Sequence, residues 1–186
     1  MNRYESILQR VKSDPRYFGN LRHGEPRPGH PEGTIGAHIS ELEANLELLR
    51  PKLSSDQAHQ LLLLIHVHDT FKPQAAAGVA IDDPRSHASM AAAFLTEFCD
   101  EADLLAMVRL HDEPFALWRQ AQQHGACNPE RLCRLVDAIR DWDTFLAFQL
   151  IDNLTAGESG EPLRWFQRET KDRLPHRLTV EDLRPG

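Results

Sequence analysis

Hydrophobic residues recur along this chain with the period of a helix. From Thr34 to Leu49 the apolar positions are Ile35, Ile39, Leu42, Leu46 and Leu49, a spacing that lines one face of a helix. Residues 3–13 carry a shorter stripe through Tyr4, Ile7, Leu8 and Val11. Ser54, followed three residues on by Gln57, predicts a capping box opening a helix that contains the apolar run Leu61 to Ile65 and stops before Pro73. Further stripes cover residues 86–98, 104–110 and 115–123. A long one runs from Pro129 through Leu132, Leu135, Val136, Ile139, Trp142, Phe145 and Leu146 to Leu154. Residues 14–33 hold Pro15, Gly19, Gly24, Pro26, Pro28, Gly29, Pro31 and Gly33 and read as a long loop, as do residues 73–85. No stretch alternates with the two-residue period of a strand. The pattern predicts an all-α bundle of about six or seven helices. It forms a single domain over residues 1–186, with its core at about 30–156 and a tail at 157–186 that holds a short helical stretch near Trp165 and Phe166.

Composition keeps this picture and narrows the partners. Hydrophobic residues make up 41% and charged residues 26% of the chain, as in ordinary globular proteins, which excludes a disordered or fibrous chain. The net charge of −7 repels a phosphate backbone at long range. DNA is therefore not an expected partner, and RNA stays open but is not favoured. Cys99, Cys127 and Cys133 do not make a disulfide framework or a zinc motif. The N-terminus lacks an apolar signal core, and the longest apolar run is too short to span a bilayer. The expectation is a soluble cytoplasmic protein.

The histidines change the picture most. There are ten, and several interrupt apolar faces. His38 lies between Ile35 and Leu42; His66 and His68 sit at the end of the most apolar run; His87 shares a face with Met90, Ala91 and Phe94; His111 follows Met107 and Leu110. An unpaired buried imidazole costs on the order of 1–3 kcal/mol. One site that collects histidines from four helices explains them together. His68 and Asp69 are adjacent, about 100° apart on a helix, and both reach one ion only beside a helix end. Imidazole with carboxylate suits Mn, Fe, Co, Ni or Zn rather than calcium, which takes oxygen ligands.

In order, His38, His68-Asp69 and the distant Asp152 resemble the H…HD…D signature of the HD-domain metal-dependent phosphohydrolases. The likeness runs from about His30 to Leu154. Residues 30–38, HPEGTIGAH, and 68–73, HDTFKP, are similar to the HD domain of bacterial tRNA nucleotidyltransferases. The nucleotidyltransferase domain that precedes it there is absent here, so CCA addition is not implied. The resemblance implies metal ligation by His38, His68, Asp69 and Asp152, with His87 and His111 as a second metal or phosphate site. Many members have two consecutive histidines where this chain has Leu110-His111-Asp112. Asp143 lies nine residues from Asp152, on the opposite side of one helix, and is expected to be solvated.

The implied reaction is hydrolysis of a small phosphoester, a nucleotide or a 2′,3′-cyclic phosphate, by a water on the metal. Asp69 steers the water, while Lys72, His87 and His111 meet the phosphate charge. Two other readings stay open: a catalytically weak nucleotide-binding or regulatory module on the same site, and a purely structural helical protein. His66 is expected in core packing, and His30 and Glu32 in a turn or in support of the ligands. Arg85, Arg131, Arg134 and Arg140 read as solvated, and residues 157–162 as a turn, since no strand precedes them as a P-loop requires. No nucleophile elbow is present.

Overall fold

In a computed structural model, which describes residues 2–28, 31–175 and 177–183, the chain is all-helical, with no strand among those residues. Helix α1 (Arg3–Lys12) is capped by Asn2, and α2 (Pro15–Asn20) by Asp14, which accepts from the Arg16 N–H. This second helix falls where the sequence predicts a loop. Pro15 opens it rather than breaking it, because the first helical residue needs no N–H. Helix α3 (Ile35–Leu49) starts at Thr34, and α4 (Ser55–Val67) starts in the predicted Ser54–Gln57 capping box.

Helix α5 (His87–Leu95) begins at the Ser86 cap, α6 (Ala102–Leu110) ends at His111, and α7 (Glu113–His124) ends at Gly125, whose φ of 80° suits a residue without Cβ. The long predicted stripe after Pro129 divides into α8 (Pro129–Ala138) and α9 (Trp142–Asn153). Ile139 is extended between them. Asp103 of α6 accepts the N–H groups of Arg140 and Asp141 at 2.8 and 2.9 Å, and Asp141 caps Thr144. These carboxylates satisfy the amides that a new helix start exposes. The apolar period survives the break, which is why the pattern alone shows one helix. Helix α10 (Glu161–Thr170) follows.

Helix α4 is the axis of the bundle. Leu61, Leu63, Leu64, Ile65 and Val67 are all buried, and a helix apolar on every side must be surrounded. It packs against α1, α3, α5, α6 and α9. Its C-terminal end, with its two histidines, is thereby held at the centre of the molecule. The segment assigned to a tail adds Leu163, Phe166, Leu174, Val180 and Leu183 to the same core. No helix of the described residues is long and apolar enough to cross a membrane.

Candidate metal centre

The four helices named for their histidines meet at one place. His68 caps the C-terminus of α4, and the turn that follows carries Asp69, closed by the Lys72 N–H donating to the Asp69 carbonyl at 3.1 Å. His38 projects from the first turn of α3, His87 from the start of α5, His111 from the end of α6 and Asp152 from the end of α9. Phe148, one turn before Asp152, packs edge-on beneath the rings of His68 and His111, with centroids 5.2 and 6.3 Å away.

Two groups of donors form, His38–His68–Asp152 and Asp69–His87–His111, each able to hold a metal ion. In the first, Asp152 Oδ1 lies 3.2 Å from His38 Nε2 and 3.5 Å from His68 Nε2. Asp69 joins the two. Its Oδ2 lies 3.4 Å from His68 Nε2 and 3.8 Å from His38 Nε2, while its Oδ1 lies 3.4 Å from His87 Nε2 and 3.6 Å from His111 Nε2. The set of four ligands read from sequence thus divides, with one oxygen of Asp69 turned to each half. These separations are close to the ~3.3 Å between neighbouring ligands on a tetrahedral zinc with bonds of about 2.05 Å.

Tautomers make the fit to a cation specific. His68 Nδ1 donates to the carbonyls of Ile65 and Leu64 at 3.0 and 3.2 Å, and His111 Nδ1 donates to that of Val108 at 2.8 Å. Both rings therefore present Nε2 to the centre, where the surrounding oxygens are acceptors too. His68 Nε2 and Asp69 Oδ1 are buried without a hydrogen bond. A lone pair facing carboxylates is repulsive unless a proton or a cation lies between them.

The ionisations carry the same sign. Burial opposes a charged His68, yet Asp69 and Asp152 outweigh it and push its pKa up to about 10. Burial disfavours the Asp69 carboxylate, but Lys72, His68 and His111 hold its pKa well below the usual range. Burial likewise opposes the Asp152 anion, and His38 and His68 overcome it. The carboxylates need positive charge, which the imidazoles supply as protons when no ion does so.

Asp112 is the residue that the sequence reading missed as a ligand candidate. Its Oδ2 lies 3.2 Å from His87 Nε2 and its Oδ1 3.5 Å from His111 Nε2. A signal was present: His111-Asp112 is a second His-Asp pair at a helix end, as His68-Asp69 is. Glu32 lies 3.4 Å from His38 Nδ1 and supports that ring, whereas His30 falls outside the described residues. Gly24 and Gly33 fold the loop carrying Glu32 back on itself. Both have positive φ, and a Cβ on Gly24 would meet the Gly33 carbonyl oxygen at 2.3 Å.

Other expectations are refined. Lys72 is half-buried, and its ammonium pairs with Asp69 Oδ2 at the mouth of the site. Asp143 is half-buried and pairs with Arg177 at 3.0 Å rather than being solvated. His66 is a satisfied core histidine, accepting from the Tyr17 hydroxyl at 2.6 Å and donating to Glu43 at 2.9 Å. Arg85 pairs with Asp83, and Arg131 with Glu113. No family model, curated protein or solved structure matches the chain.

Proposed function

We propose that the chain is a metal-dependent phosphohydrolase of the HD-domain type, acting on small phosphoesters such as nucleotides or 2′,3′-cyclic phosphates. The observation that carries this reading is the bridging placement of Asp69 between two histidine pairs, at a mouth lined by Lys72. His38, His68, Asp69 and Asp152 would hold one ion; Asp69, His87, His111 and Asp112 would hold a second. A bound divalent transition ion lowers the pKa of a water ligand towards neutrality and draws charge from a phosphoryl oxygen.

The protein's own groups do the rest. Asp69 is buried and held ionised, so it orients the attacking water by accepting one of its hydrogens. As the water oxygen bonds to phosphorus, the ester P–O bond breaks and its electron pair leaves with the alcohol oxygen. His111 lines the mouth. Burial lowers its pKa, but Asp112 and Asp69 outweigh this and raise it. When no second ion is bound, its imidazolium protonates the leaving oxygen. With a cation held by Asp69, the Lys72 ammonium would be released from that carboxylate to meet the phosphate charge at the mouth.

The test is element-resolved metal content of protein purified without chelator or histidine tag, followed by phosphate release from a nucleotide panel and a chromogenic phosphodiester. Bound transition metal with turnover supports the proposal. Bound metal and nucleotide without turnover would replace it with a binding or regulatory module. A stable protein that takes up none of Mn²⁺, Fe²⁺, Co²⁺, Ni²⁺ or Zn²⁺ would overturn both.

A further inference from the structure

The mouth of the metal centre is small, 120 Å³, but it does not stand alone. Asp112 and Phe115 line it and also line an 820 Å³ groove between α7, α8 and the loop at residues 79–82. On α7, Asp112, Phe115 and Arg119 follow one face. Arg119 lies seven residues beyond Asp112, about 10 Å along the axis at 1.5 Å per residue. Phe115 is one of the few exposed large apolar side chains, and the Arg119 guanidinium lies 6.0 Å from its ring centre.

The charges of the groove are unevenly committed. Glu113 is taken by Arg131, and Asp112 is turned to His87 and His111. Arg119 and Arg134 are exposed, line the groove and make no ion pair among the described residues. Asp82, Asp112 and Glu113 also line the groove, and none of them pairs with Arg119 or Arg134 among the described residues. Two arginines in a concave, partly apolar groove suit a phosphate, which guanidinium groups grip through paired N–H donors.

Resting on the phosphohydrolase reading, we propose that this groove is an anion subsite of the same centre. Its substrate is then a nucleotide carrying two phosphates. One phosphate sits at the metal centre, the nucleoside crosses the Phe115 ring, and the second phosphate is held by Arg119 and Arg134.

Adenosine 3′,5′-bisphosphate and adenosine 5′-monophosphate differ only in the second phosphate, so their ratio isolates the subsite. With Mn²⁺-loaded protein, kcat/KM is at least tenfold higher for the bisphosphate, mainly through KM. In the Arg119→Ala, Arg134→Ala double variant that ratio falls to near one. Both side chains are exposed, so folding is retained, and circular dichroism checks it. Calorimetric binding of the same two nucleotides provides a measure that does not depend on turnover. A binding preference lost in the variant, with no hydrolysis of either nucleotide, keeps the subsite and sinks the phosphohydrolase reading. Equal use or equal binding of the two nucleotides by the unaltered protein, or a ratio unchanged in the double variant, overturns the subsite.

Discussion

Asp69 has more to lose than any other side chain of the centre, because its two oxygens face different histidine pairs. Asp69→Ala should lower bound transition metal at least tenfold and abolish phosphate release. His66, three positions earlier, is fully occupied by Tyr17 and Glu43 on the far side of α4. His66→Ala should cost about 2–4 kcal/mol, from a cavity and an unpaired tyrosine hydroxyl, while the folded fraction keeps its metal. Urea midpoints and metal content measured on both variants check the contrast; equal metal loss would misplace the centre. Lys72→Ala should retain the metal and raise KM for phosphoesters several-fold. A drop in metal content would make Lys72 a structural partner of Asp69 instead. His38, His68 and Asp152 were legible because polar groups on apolar faces stand out. Asp112 was overlooked although His111-Asp112 repeats the His68-Asp69 pair, because Glu113 and Pro114 after it also let it read as an ordinary polar helix start. The ion pair of Lys72 depends on how a flexible side chain folds back, which spacing does not encode.

At the level of elements, local rules and long-range rules had different visibility. The Ser54–Gln57 capping box and the stripe of α3 are contiguous in sequence and were legible. The break between α8 and α9 was not, because half of its cause lies on another helix: Asp103 of α6 supplies the acceptor for two of the amides. The break also matters for the site, since α9 carries Asp152 and Phe148 and its start fixes their direction. Asp103→Ala leaves both amides without that acceptor and should cost about 1–2 kcal/mol. Asp103→Asn, which keeps an acceptor oxygen, should recover part of the loss. If neither variant shifts the urea midpoint, Asp141 alone is sufficient to start α9.

Over the whole molecule, the packing of α1 and α2 onto the bundle can be read from the two tyrosines. Burial, with Glu101 near one and Glu43 near the other, pushes Tyr4 and Tyr17 up to about 12, against about 10 in an unfolded chain. At pH 11 the folded protein should show roughly a tenth of its tyrosine as phenolate, and the unfolded chain roughly nine tenths. Absorbance near 295 nm measures this. Because the folded pKa values are raised, the stability they contribute is complete below pH 10 and is lost as the pH rises towards 12. A native titration midpoint near 10 would show that these helices do not pack as described.

A metal ion at this centre would also couple to the stability of the whole fold. Its candidate ligands come from five helices, α3, α4, α5, α6 and α9, and the turn after α4, so they come together only in the folded chain. An ion that binds the folded state and not the unfolded one stabilises it by about 2.7 kcal/mol at a hundred times its Kd. For a chain of this length that is roughly 5–10 °C in Tm. The donors are imidazoles as well as carboxylates, so Mn²⁺, Co²⁺ or Zn²⁺ should raise Tm in a concentration-dependent way and Ca²⁺ should not. Asp152→Asn should shrink the shift without removing it, since Asp69, His87, His111 and Asp112 remain. His38→Ala combined with His87→Ala removes one nitrogen from each half and should abolish it. Thermal unfolding of chelator-treated protein across an ion series measures all three. A Tm that no transition ion moves, or that Ca²⁺ moves as far as Zn²⁺, would mean that the buried cluster is held together by shared protons alone.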